Sequence, residues 1–370
     1  MSDACLAGVR VVDLSQYLPG PFAGQILADL GAEVVKVEPP GGDPMRGIGP
    51  PDPDGISAYY RLVNAGKRVV RIDLKAKAGR DAFCALIAHA DVLLESYRPG
   101  MLARLGFDRL VLTGLNPRLV HCALSGYGQT GPYADKGGHD INYMAWGGGL
   151  AGSGTTDRPV MAHPPAADHA GAQQAVVAIL AALLRRERGG GGAFLDVSLA
   201  ETVLAWQAGV LTAARRGKPM TRGRDLLNGG AACYQVYETA DGRFVTLGAL
   251  EPKFWAAFCE AVDRPDWIAR QAEDLPQTAL ISEVSALFRG RPLADWQDLL
   301  GTVDCCWQPV LEPEELLADP QAAARGLIRH SDETVEVLFP ALMDGGTPAP
   351  RPALVETTAE AVLFDWSRGP

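Results

Sequence analysis

The chain has 370 residues, of which 47% are hydrophobic and 21% are charged, and its formal net charge is −10. This composition is typical of a globular protein, and the length suits about two domains. The acidic balance argues against general binding to nucleic acids or to anionic membranes, because both favour a basic protein surface.

Targeting and metal-binding patterns are not recognisable in the sequence. The first residues, MSDACLAGVRVVDLSQ, contain no basic segment followed by an apolar one, so we expect a non-secreted, cytoplasmic protein. We find no run of 18 apolar residues and therefore expect no membrane span. The seven cysteines include no Cys-x-x-Cys pair, and no residue cluster has the spacing of a metal site. We expect no metal.

A strand–helix–strand unit is predicted at the start of the chain. Residues 9–14 form an apolar run typical of a buried strand, and residues 33–38 form a second one. Between them, Pro19 and Pro21 suit the start of a helix, and Gly31 suits its end. Such a βαβ unit predicts a parallel sheet.

The same alternation continues to about residue 210. We predict a helix over residues 80–90, strands over 91–95 and 119–124, a long apolar helix over 170–188, and a strand–helix stretch over 193–210. This order favours an α/β domain with a Rossmann-like parallel sheet. Neither G-x-G-x-x-G nor a Walker loop occurs, so a nucleotide cofactor is not supported.

A different pattern follows an arginine-rich linker, residues 214–225. Alternating residues around Asp241-Gly242 predict a β-hairpin, and helices are predicted near 252–263, 280–289 and 292–300. We therefore predict two domains: a large α/β domain over residues 1–213, completed by about 325–370, and a smaller α+β domain over residues 226–318.

Basic residues cluster in two segments of the predicted large domain. They are Lys67, Arg68, Arg71, Lys75 and Lys77 in NAGKRVVRIDLKAK, and Arg98 and Arg104 beside Tyr97 in ESYRPGMLARLG. Arginines that bind phosphates and a ring that stacks on adenine would have this composition. A solvated surface would have it too, and the pattern alone leaves both alternatives open.

Three residues with acid–base side chains are candidates for proton transfer. His139 follows two glycines in GGHDINY, and a histidine titrates near neutral pH, although a hydrogen-bonded loop histidine would look the same. Asp168 precedes the long apolar helix, where it could be an N-cap or an ionised carboxylate stabilised by the helix N-terminus. Glu251 follows a predicted strand and, alone, would pass as a surface carboxylate.

Several long segments together resemble the family III CoA-transferases. They are LAGVRVVDLSQYLPGPFAGQILADLGAEVVKVEPPGGD, NAGKRVVRIDLKAKAG, LLESYRPGMLARLG and NPRLVHCALSGYGQTGPY. GGHDINY and LLNGGAACYQVYETADGRFVTLGALEPKFW are most similar to the α-methylacyl-CoA racemase branch of that family. The resemblance covers nearly the whole chain and is weakest beyond about residue 330.

The resemblance implies an interlocked homodimer that acts on an acyl-CoA thioester. Coenzyme A is then part of the substrate, and no further cofactor is expected. The positions that would bind it are Ile72, Asp73, Leu74, Lys75, Ser96, Tyr97, Arg98, Arg104, Gly138, Asn142 and Tyr143.

The resemblance also implies catalytic roles. In the racemase branch, the residues matching His139 and Asp168 are the opposing acid and base, and the glutamate matching Glu251 holds the histidine. We include Asp140, next to His139, among the catalytic residues. The expected reaction inverts the α carbon of a 2-methylacyl-CoA thioester through an enolate. Backbone N–H groups at the start of the 170–188 helix or in the glycine-rich loop would stabilise that enolate.

Two other functions remain open at this point. In the transferase branch, the aspartate matching Asp168 is the nucleophile, and CoA moves between carboxylic acids through an aspartyl intermediate. A protein that binds acyl-CoA without chemistry is the third alternative. The histidine at position 139, with Asp140 beside it and Glu251 in the chain, favours the racemase.

Two departures from the family pattern concern the same sites. Pro39-Pro40-Gly41 stands where the family often has an arginine followed by Pro-Gly, and Arg46 is the candidate to replace that phosphate contact. His169 follows Asp168 where the racemase pattern usually has phenylalanine. An added ring nitrogen there is expected to affect the pKa of Asp168.

Overall fold

The structure is a computed structural model that describes residues 4–330 and 335–368. The strands are β1 (Arg10–Asp13), β2 (Glu33–Glu38), β3 (Arg68–Arg71), β4 (Val92–Glu95), β5 (Val120–Ser125), β6 (Ala193–Ser198), β7 (Tyr234–Glu238), β8 (Phe244–Gly248), β9 (Trp307–Pro309), β10 (Ile328–His330), β11 (Val335–Val337) and β12 (Val355–Thr357).

The α-helices follow in the same chain order. They are α1 (Pro19–Asp29), α2 (Ala58–Asn64), α3 (Lys77–His89), α4 (Met101–Arg104), α5 (Arg109–Leu115), α6 (Asp140–Trp146), α7 (Gly149–Gly152), α8 (Ala166–Glu187), α9 (Leu199–Ala205), α10 (Ala208–Arg215), α11 (Pro252–Ala261), α12 (Thr278–Phe288), α13 (Leu293–Leu300), α14 (Pro313–Ala318), α15 (Pro320–Arg325) and α16 (Ala359–Ser367).

The chain divides into two compact units. Unit 1 contains the described residues of Met1–Gly147, Pro164–Trp206 and Gln321–Pro370, and unit 2 contains Gly148–His163 and Gln207–Pro320. The predicted candidates His139, Asp140 and Asp168 therefore belong to unit 1, as do all the predicted CoA-binding positions, whereas Glu251 belongs to unit 2.

Unit 1 is built on a seven-stranded parallel sheet with the order β12-β3-β2-β1-β4-β5-β6. Val11 and Val12 of β1 are completely buried, as expected for a parallel sheet covered on both faces. From β3 to β6 the strand order is that of a Rossmann-type sheet, which reverses between β1 and β4. The predicted α/β class is confirmed.

The first βαβ unit forms as the sequence predicts. Helix α1 begins at Pro19, where a missing N–H costs nothing. Gly31, just beyond the end of α1, has a φ of +98°, a conformation that glycine adopts without strain. The chain then enters β2, whose Val34 lies opposite Val11.

Strand β12, at the edge of the sheet, and its neighbour β3 were not predicted from the sequence. Strand β3 lies within the charged segment NAGKRVVRIDLKAK, where Val69 and Val70 are buried between basic residues. Strand β12 pairs with β3 in parallel, with Val355 opposite Arg68. The following helix, α16, packs on α3 and contributes Val362 to the same hydrophobic core.

Helix α8 has 22 residues and, by length and composition alone, qualifies as a candidate membrane span. Polar residues such as Gln173 and Gln174 interrupt its apolar run, so the sequence did not predict a span here. In unit 1 the helix packs against α1, α9 and β5, and Ala172, Ala175 and Ile179 are completely buried. Its apolar composition is explained by this position in the core.

Unit 2 contains an antiparallel sheet with the order β7-β8-β9. The predicted hairpin is present: Thr239 N–H donates to the Arg243 carbonyl at 2.9 Å, and Gly242 has a φ of +74°. Helices α11, α12 and α13 cover the sheet, and the tryptophans Trp255, Trp267 and Trp296 are at most 1% exposed. The unit has its own hydrophobic core.

Candidate active site

The GGHDINY segment folds as the entry into helix α6. His139 is exposed and occupies the position just before the helix, and its backbone N–H donates to Asn142 Oδ1 at 3.0 Å. The Tyr143 hydroxyl donates to the Gly138 carbonyl at 2.5 Å. The side chains of Asn142 and Tyr143 therefore hold the backbone at His139 and at Gly138. The imidazole of His139 stays exposed.

Asp140 connects this segment to helix α8. Its Oδ1 accepts hydrogen bonds from the backbone N–H groups of Ala167 at 2.7 Å and Asp168 at 3.1 Å. These are orphan donors of the first helical turn, and the residue before the helix, Pro165, supplies no side-chain cap. Asp140 therefore caps α8 from α6, a role that the sequence analysis did not predict.

Asp168 is in the first turn of α8 and is half-buried. The helix begins at Ala166, earlier than the predicted residue 170, so Asp168 is not the N-cap. Burial raises the pKa of the Asp168 carboxyl to about 6, and the charge of Asp140 adds to this increase. The charges of His169 and His139 act in the opposite direction. The carboxyl is thus poised to exchange a proton near neutral pH.

The structure brings His139 and Asp168 into the same region. Helices α6 and α8 pack together, and His139 lies close enough to Asp168 for its charge to lower the pKa of that carboxyl. Asp140 stands between the two, next to His139 in the chain and hydrogen-bonded to the Asp168 backbone. The arrangement offers two titratable groups that can give and take protons.

An aromatic cluster supports the helix that carries these groups. The ring of Tyr127 packs edge-on against Tyr143 and Tyr133, with centroids 5.3 and 5.7 Å apart, and Trp146 packs against both Tyr127 and Tyr133. Burial, together with the charge of Asp168, raises the pKa of Tyr143 to about 12. The only local sequence signal for this cluster is the pair Tyr127 and Tyr133 in SGYGQTGPY.

Three segments predicted to bind CoA leave the same edge of the sheet. Ile72–Lys75 follows β3, Ser96–Arg98 follows β4, and the chain after β5 leads to Gly138–Tyr143. Ligands of open α/β sheets bind at this edge, where the strand order reverses. At the reversal, the Gln16 N–H of the loop after β1 donates to Ser96 Oγ at 3.0 Å.

A cavity of about 100 Å³ lies among two of these segments. Its walls include Ile72, Leu74 and Tyr97, which are predicted CoA-binding positions, and Leu105. Asp73 and Lys75 also line it, and Asp73 Oδ1 accepts the Lys75 N–H at 2.9 Å. A pocket with apolar walls, a phenol ring and a few polar side chains suits a flat heterocycle.

The two arginines carried over from the resemblance are exposed. Arg98 Nη2 lies only 2.9 Å from where a Cβ on Gly137 would be, so it reaches the glycines before His139. Arg104 lies in the short helix α4, with Nη1 near Gly100. Arg98 therefore links the cavity segment to the loop that carries His139.

Comparison with known proteins identifies the family. The model of CoA-transferase family III matches residues 6–354. The chain belongs to CoA-transferase family III. It is 33% identical to α-methylacyl-CoA racemase of Mus musculus over 360 residues, covering 93% of this chain and 87% of the relative.

A transferase of the family matches as well as the racemase does. Succinate–glutarate CoA-transferase of Agrobacterium fabrum is 35% identical over 342 residues, covering 87% of this chain and 84% of the relative. A solved structure, a CAIB/BAIF family protein from Brucella suis, superposes with a TM-score of 0.83 at 28% identity, covering 97% of this chain and 98% of that one. These similarities fix the family and the fold but not the reaction.

Lys67 of the predicted basic cluster and Arg46, named separately as a phosphate contact, both pair with carboxylates. Lys67 is buried: its Nζ lies 3.1 Å from Asp13 Oδ2 and donates to the Pro21 carbonyl at 2.7 Å. Arg46, the candidate for the missing phosphate contact, pairs with Glu38 at 2.8 Å and with Glu356 at 2.9 Å. Neither side chain is free to bind a phosphate, so both expectations need correction.

Glu251 lies in unit 2, at the position just before helix α11, and is exposed. The strand β8 ends three residues earlier, in agreement with the predicted strand end. Its role towards His139, carried over from the resemblance, stays a prediction. Within residues 4–330 and 335–368, no group of three or more His, Cys, Asp or Glu side chains is arranged to hold a metal ion.

Proposed function

We propose that the protein is a racemase that inverts the α carbon of 2-methylacyl-CoA thioesters. The observation that carries this proposal is the state of Asp168, whose carboxyl has a pKa of about 6 and lies within electrostatic reach of His139. A group with a pKa near the working pH can accept and donate a proton under the same conditions. This property is needed where each residue acts as the base for one epimer of the substrate and as the acid for the other.

The proposed reaction moves one proton off the α carbon and another onto its opposite face. From one epimer Asp168 takes the proton, the C–H electron pair moves towards the thioester oxygen, and His139 protonates the resulting enolate. From the other epimer the two residues exchange roles. Each of them contributes roughly 10²–10⁴-fold as a general catalyst.

The backbone N–H of Asp140 is the donor that we propose for the enolate oxygen. The first N–H groups of α8, considered from the sequence, are engaged by Asp140 Oδ1 at Ala167 and Asp168. Within the described part of the chain, the Asp140 N–H has no acceptor, and it follows His139 directly at the start of α6. A donor aimed at a developing oxyanion contributes about 10²–10³-fold to kcat.

Coenzyme A is proposed to bind along the sheet edge that carries the predicted segments. The cavity beside Ile72–Lys75 and Tyr97 would take the adenine, and the exposed arginines Arg98 and Arg104 would bind phosphates. Arg98, next to Gly137, would then direct the thioester end of the molecule towards His139.

Deuterium exchange tests the proposal directly. A single epimer of a 2-methylacyl-CoA is incubated with the protein in D₂O without any acceptor acid, and the α proton is followed by NMR. We expect loss of that signal together with appearance of the other epimer. Appearance of the other epimer should be abolished in His139→Ala and in Asp168→Asn, because inversion needs both groups. Absence of exchange in the unaltered protein would refute the racemase.

CoA transfer is the second candidate, favoured by the 35% identity with a transferase. Here the Asp168 carboxylate attacks the thioester carbonyl, CoA thiolate leaves, and a mixed anhydride forms. The thiolate then attacks the aspartyl carbonyl, which releases the first acid and leaves an aspartyl-CoA thioester. In this case CoA moves to an added carboxylic acid, and His139→Ala retains part of the activity. Binding without either reaction would leave only an acyl-CoA-binding protein.

We also propose an interlocked homodimer in the cytoplasm, on the basis of the resemblance. Light scattering after gel filtration tests the assembly, since the chain mass is 39.2 kDa and a dimer has twice that mass. A monomer at the concentrations used for activity would refute it.

A further inference from the structure

A second cavity, of about 110 Å³, lies in unit 1 at the edge of the sheet opposite to the predicted CoA-binding segments. Those segments follow the carboxyl ends of their strands, whereas this cavity lies at the first residues of β5 and β6. It has room for a small solute, because a single water needs only about 10–15 Å³. The proposed reaction makes no use of this space.

One face of α5 and the starts of two neighbouring strands form the walls of this cavity. On the helix side, the wall residues recur every three or four positions, as residues on one helix face do; they are Arg109, Leu112, Thr113 and Asn116. The facing wall consists of Pro117, Leu119 and His121 at β5, and of Gly192, Ala193 and Phe194 at β6. None of these wall residues is acidic, so an anion in the cavity would meet no like charge in its walls.

His121 is the buried ionisable side chain of the wall. It is 8% exposed, and neither Nδ1 nor Nε2 has a hydrogen-bond partner within the described residues. Nε2 lies 3.7 Å from Glu95 Oε1, which is too far for a hydrogen bond, and the other oxygen of Glu95 accepts the Tyr97 N–H at 2.6 Å. A buried polar atom without a partner costs roughly 1–3 kcal/mol. A ligand in the cavity can supply that partner.

Phe194 brings a positive charge to the same cavity as His121. Its ring packs edge-on against the His121 ring, with centroids 5.0 Å apart, and Arg109 Cζ lies 5.2 Å from the centroid of Phe194. Arg109 is exposed and makes no ion pair with any described residue. Its guanidinium is therefore held at the cavity by an aromatic ring and is available to an anion.

The other polar groups of the wall are mostly engaged already. Asn116 Nδ2 donates to two backbone carbonyls, at 3.0 and 2.7 Å, and the N–H groups of Gly192 and Ala193 donate to backbone carbonyls, both at 3.0 Å. The Thr113 hydroxyl has no hydrogen-bond partner in the described part of the chain. A ligand would thus meet one permanent positive charge, together with a hydroxyl and an imidazole that can each donate or accept a hydrogen bond.

We propose that this cavity binds a small oxyanion that also carries an O–H group, as hydrogen phosphate does. Its charged oxygens accept hydrogen bonds from the Arg109 guanidinium, whose geometry matches phosphate. Towards His121 it can either donate through its O–H group or accept through an oxygen, so the fit holds for either tautomer of the imidazole. The proposal goes beyond the proposed function, because the cavity lies away from the acid–base pair and from the predicted CoA segments.

NMR of the histidine rings tests the site, with inorganic phosphate as the probe. The full chain is labelled with ¹⁵N-histidine, the His121 signals are assigned from their loss in His121→Phe, and phosphate replaces chloride at constant pH and ionic strength. We expect a saturable shift of the His121 signals. Sulfate, which has no O–H group at neutral pH, should bind roughly tenfold more weakly. Absence of a saturable shift with phosphate, or equal binding of the two anions, would overturn the proposal.

Calorimetric titration with phosphate locates the binding and needs no signal assignment. Arg109→Gln alters an exposed side chain and should weaken binding roughly 10- to 100-fold. Arg215→Gln, at an exposed arginine of α10, is the matched control and should leave binding unchanged, as should Arg98→Gln.

The pattern across these three variants decides the outcome. A loss in Arg98→Gln without a loss in Arg109→Gln would place the phosphate at the CoA segments and overturn the proposal. An equal loss in all three variants would indicate general electrostatic attraction and would overturn it too. Because no turnover is involved, these results are independent of whether the protein is a racemase.

Discussion

The carboxylate of Asp140 accepts the backbone N–H of Asp168 at 3.1 Å, and the same charge raises the pKa of the Asp168 side chain. Asp140 thus caps the start of α8 and also raises the pKa of the Asp168 carboxyl in the first turn of that helix. The two effects have different physical origins, a hydrogen bond and a charge, and substitutions can separate them.

Asp140→Asn is expected to change acidity, and Asp140→Ala to change stability as well. Asparagine keeps an oxygen for the α8 N–H groups but removes the charge, so the pKa of Asp168 should fall below about 6. Alanine removes the cap and should lower the free energy of unfolding by about 1 kcal/mol. Urea denaturation of both variants checks the difference. Equal stability of the two would show that the cap contributes nothing.

The buried ion pair between Asp13, the last residue of β1, and Lys67 is expected to contribute strongly to stability, so that removal of one charge lowers the free energy of unfolding. Burial alone would raise the pKa of Asp13, but Lys67, Lys36 and Ser15 hold it below its usual value. Asp13→Asn leaves the buried Lys67 without its carboxylate partner and should cost roughly 3–5 kcal/mol in urea denaturation. Asp81→Asn, at an exposed surface pair, is the control. The double variant Asp13→Asn/Lys67→Met should recover much of the loss.

Lys67 should also give stability a characteristic pH dependence. Burial lowers its pKa from 10.5 to about 8 in the folded chain. Between these values the unfolded chain binds more protons, so the free energy of unfolding should rise with pH across this window. Comparison of urea midpoints from pH 8 to pH 10.5 tests this. Lys67→Met should reduce the slope, and an identical slope in both proteins would contradict the assignment.

The exposed arginines should control affinity for CoA thioesters. Arg98→Gln and Arg104→Gln each remove a charge-assisted hydrogen bond to phosphate, which corresponds to roughly 10- to 100-fold weaker binding. Lys77→Gln is the matched control, since Lys77 is exposed and pairs with Asp81 at 2.6 Å. Calorimetric titration with CoA measures all three. A comparable loss in Lys77→Gln would indicate general electrostatic attraction rather than a site.

Gly138→Ala should disturb the active-site helix. A Cβ there would lie 2.8 Å from Cε1 of Tyr143, so that ring must move, and with it the hydrogen bond from its hydroxyl to the Gly138 carbonyl. We expect proton exchange to fall by at least tenfold with the CoA dissociation constant changed less. Unaltered exchange would show that the glycine serves chain flexibility only.

The sheet could be predicted from sequence where apolar runs are uninterrupted. Strands β1, β2, β4 and β5 are of this kind, with turn residues between them. Strand β3 was overlooked because Arg68 and Arg71 flank only two buried valines, and a pattern that short cannot be separated from a charged surface. Strand β12, with only three residues, has no local signal at all, and only its pairing with β3 defines it.

The candidate site residues were named one by one from the sequence, but the contacts between them were not. The resemblance led to His139 and Asp168, whereas the capping of α8 by Asp140 joins residues far apart in the chain and depends on how two helices pack. The same limit explains Lys67, which looks like part of a basic surface and is a buried partner of Asp13. Burial of a charge is a tertiary property that local composition does not report.

The pairing of β12 with β3 has a consequence for how the chain is made. Strand β3 leads into residues 72–75. Its outer partner, β12, lies after unit 2 in the chain and is therefore synthesised only after all of unit 2. While the ribosome is still translating unit 2, the nascent chain therefore carries an open sheet edge, the kind of surface on which chains associate wrongly. The last strand, β12, then replaces β3 at the edge with a strand of only three residues, which offers less backbone for wrong pairing.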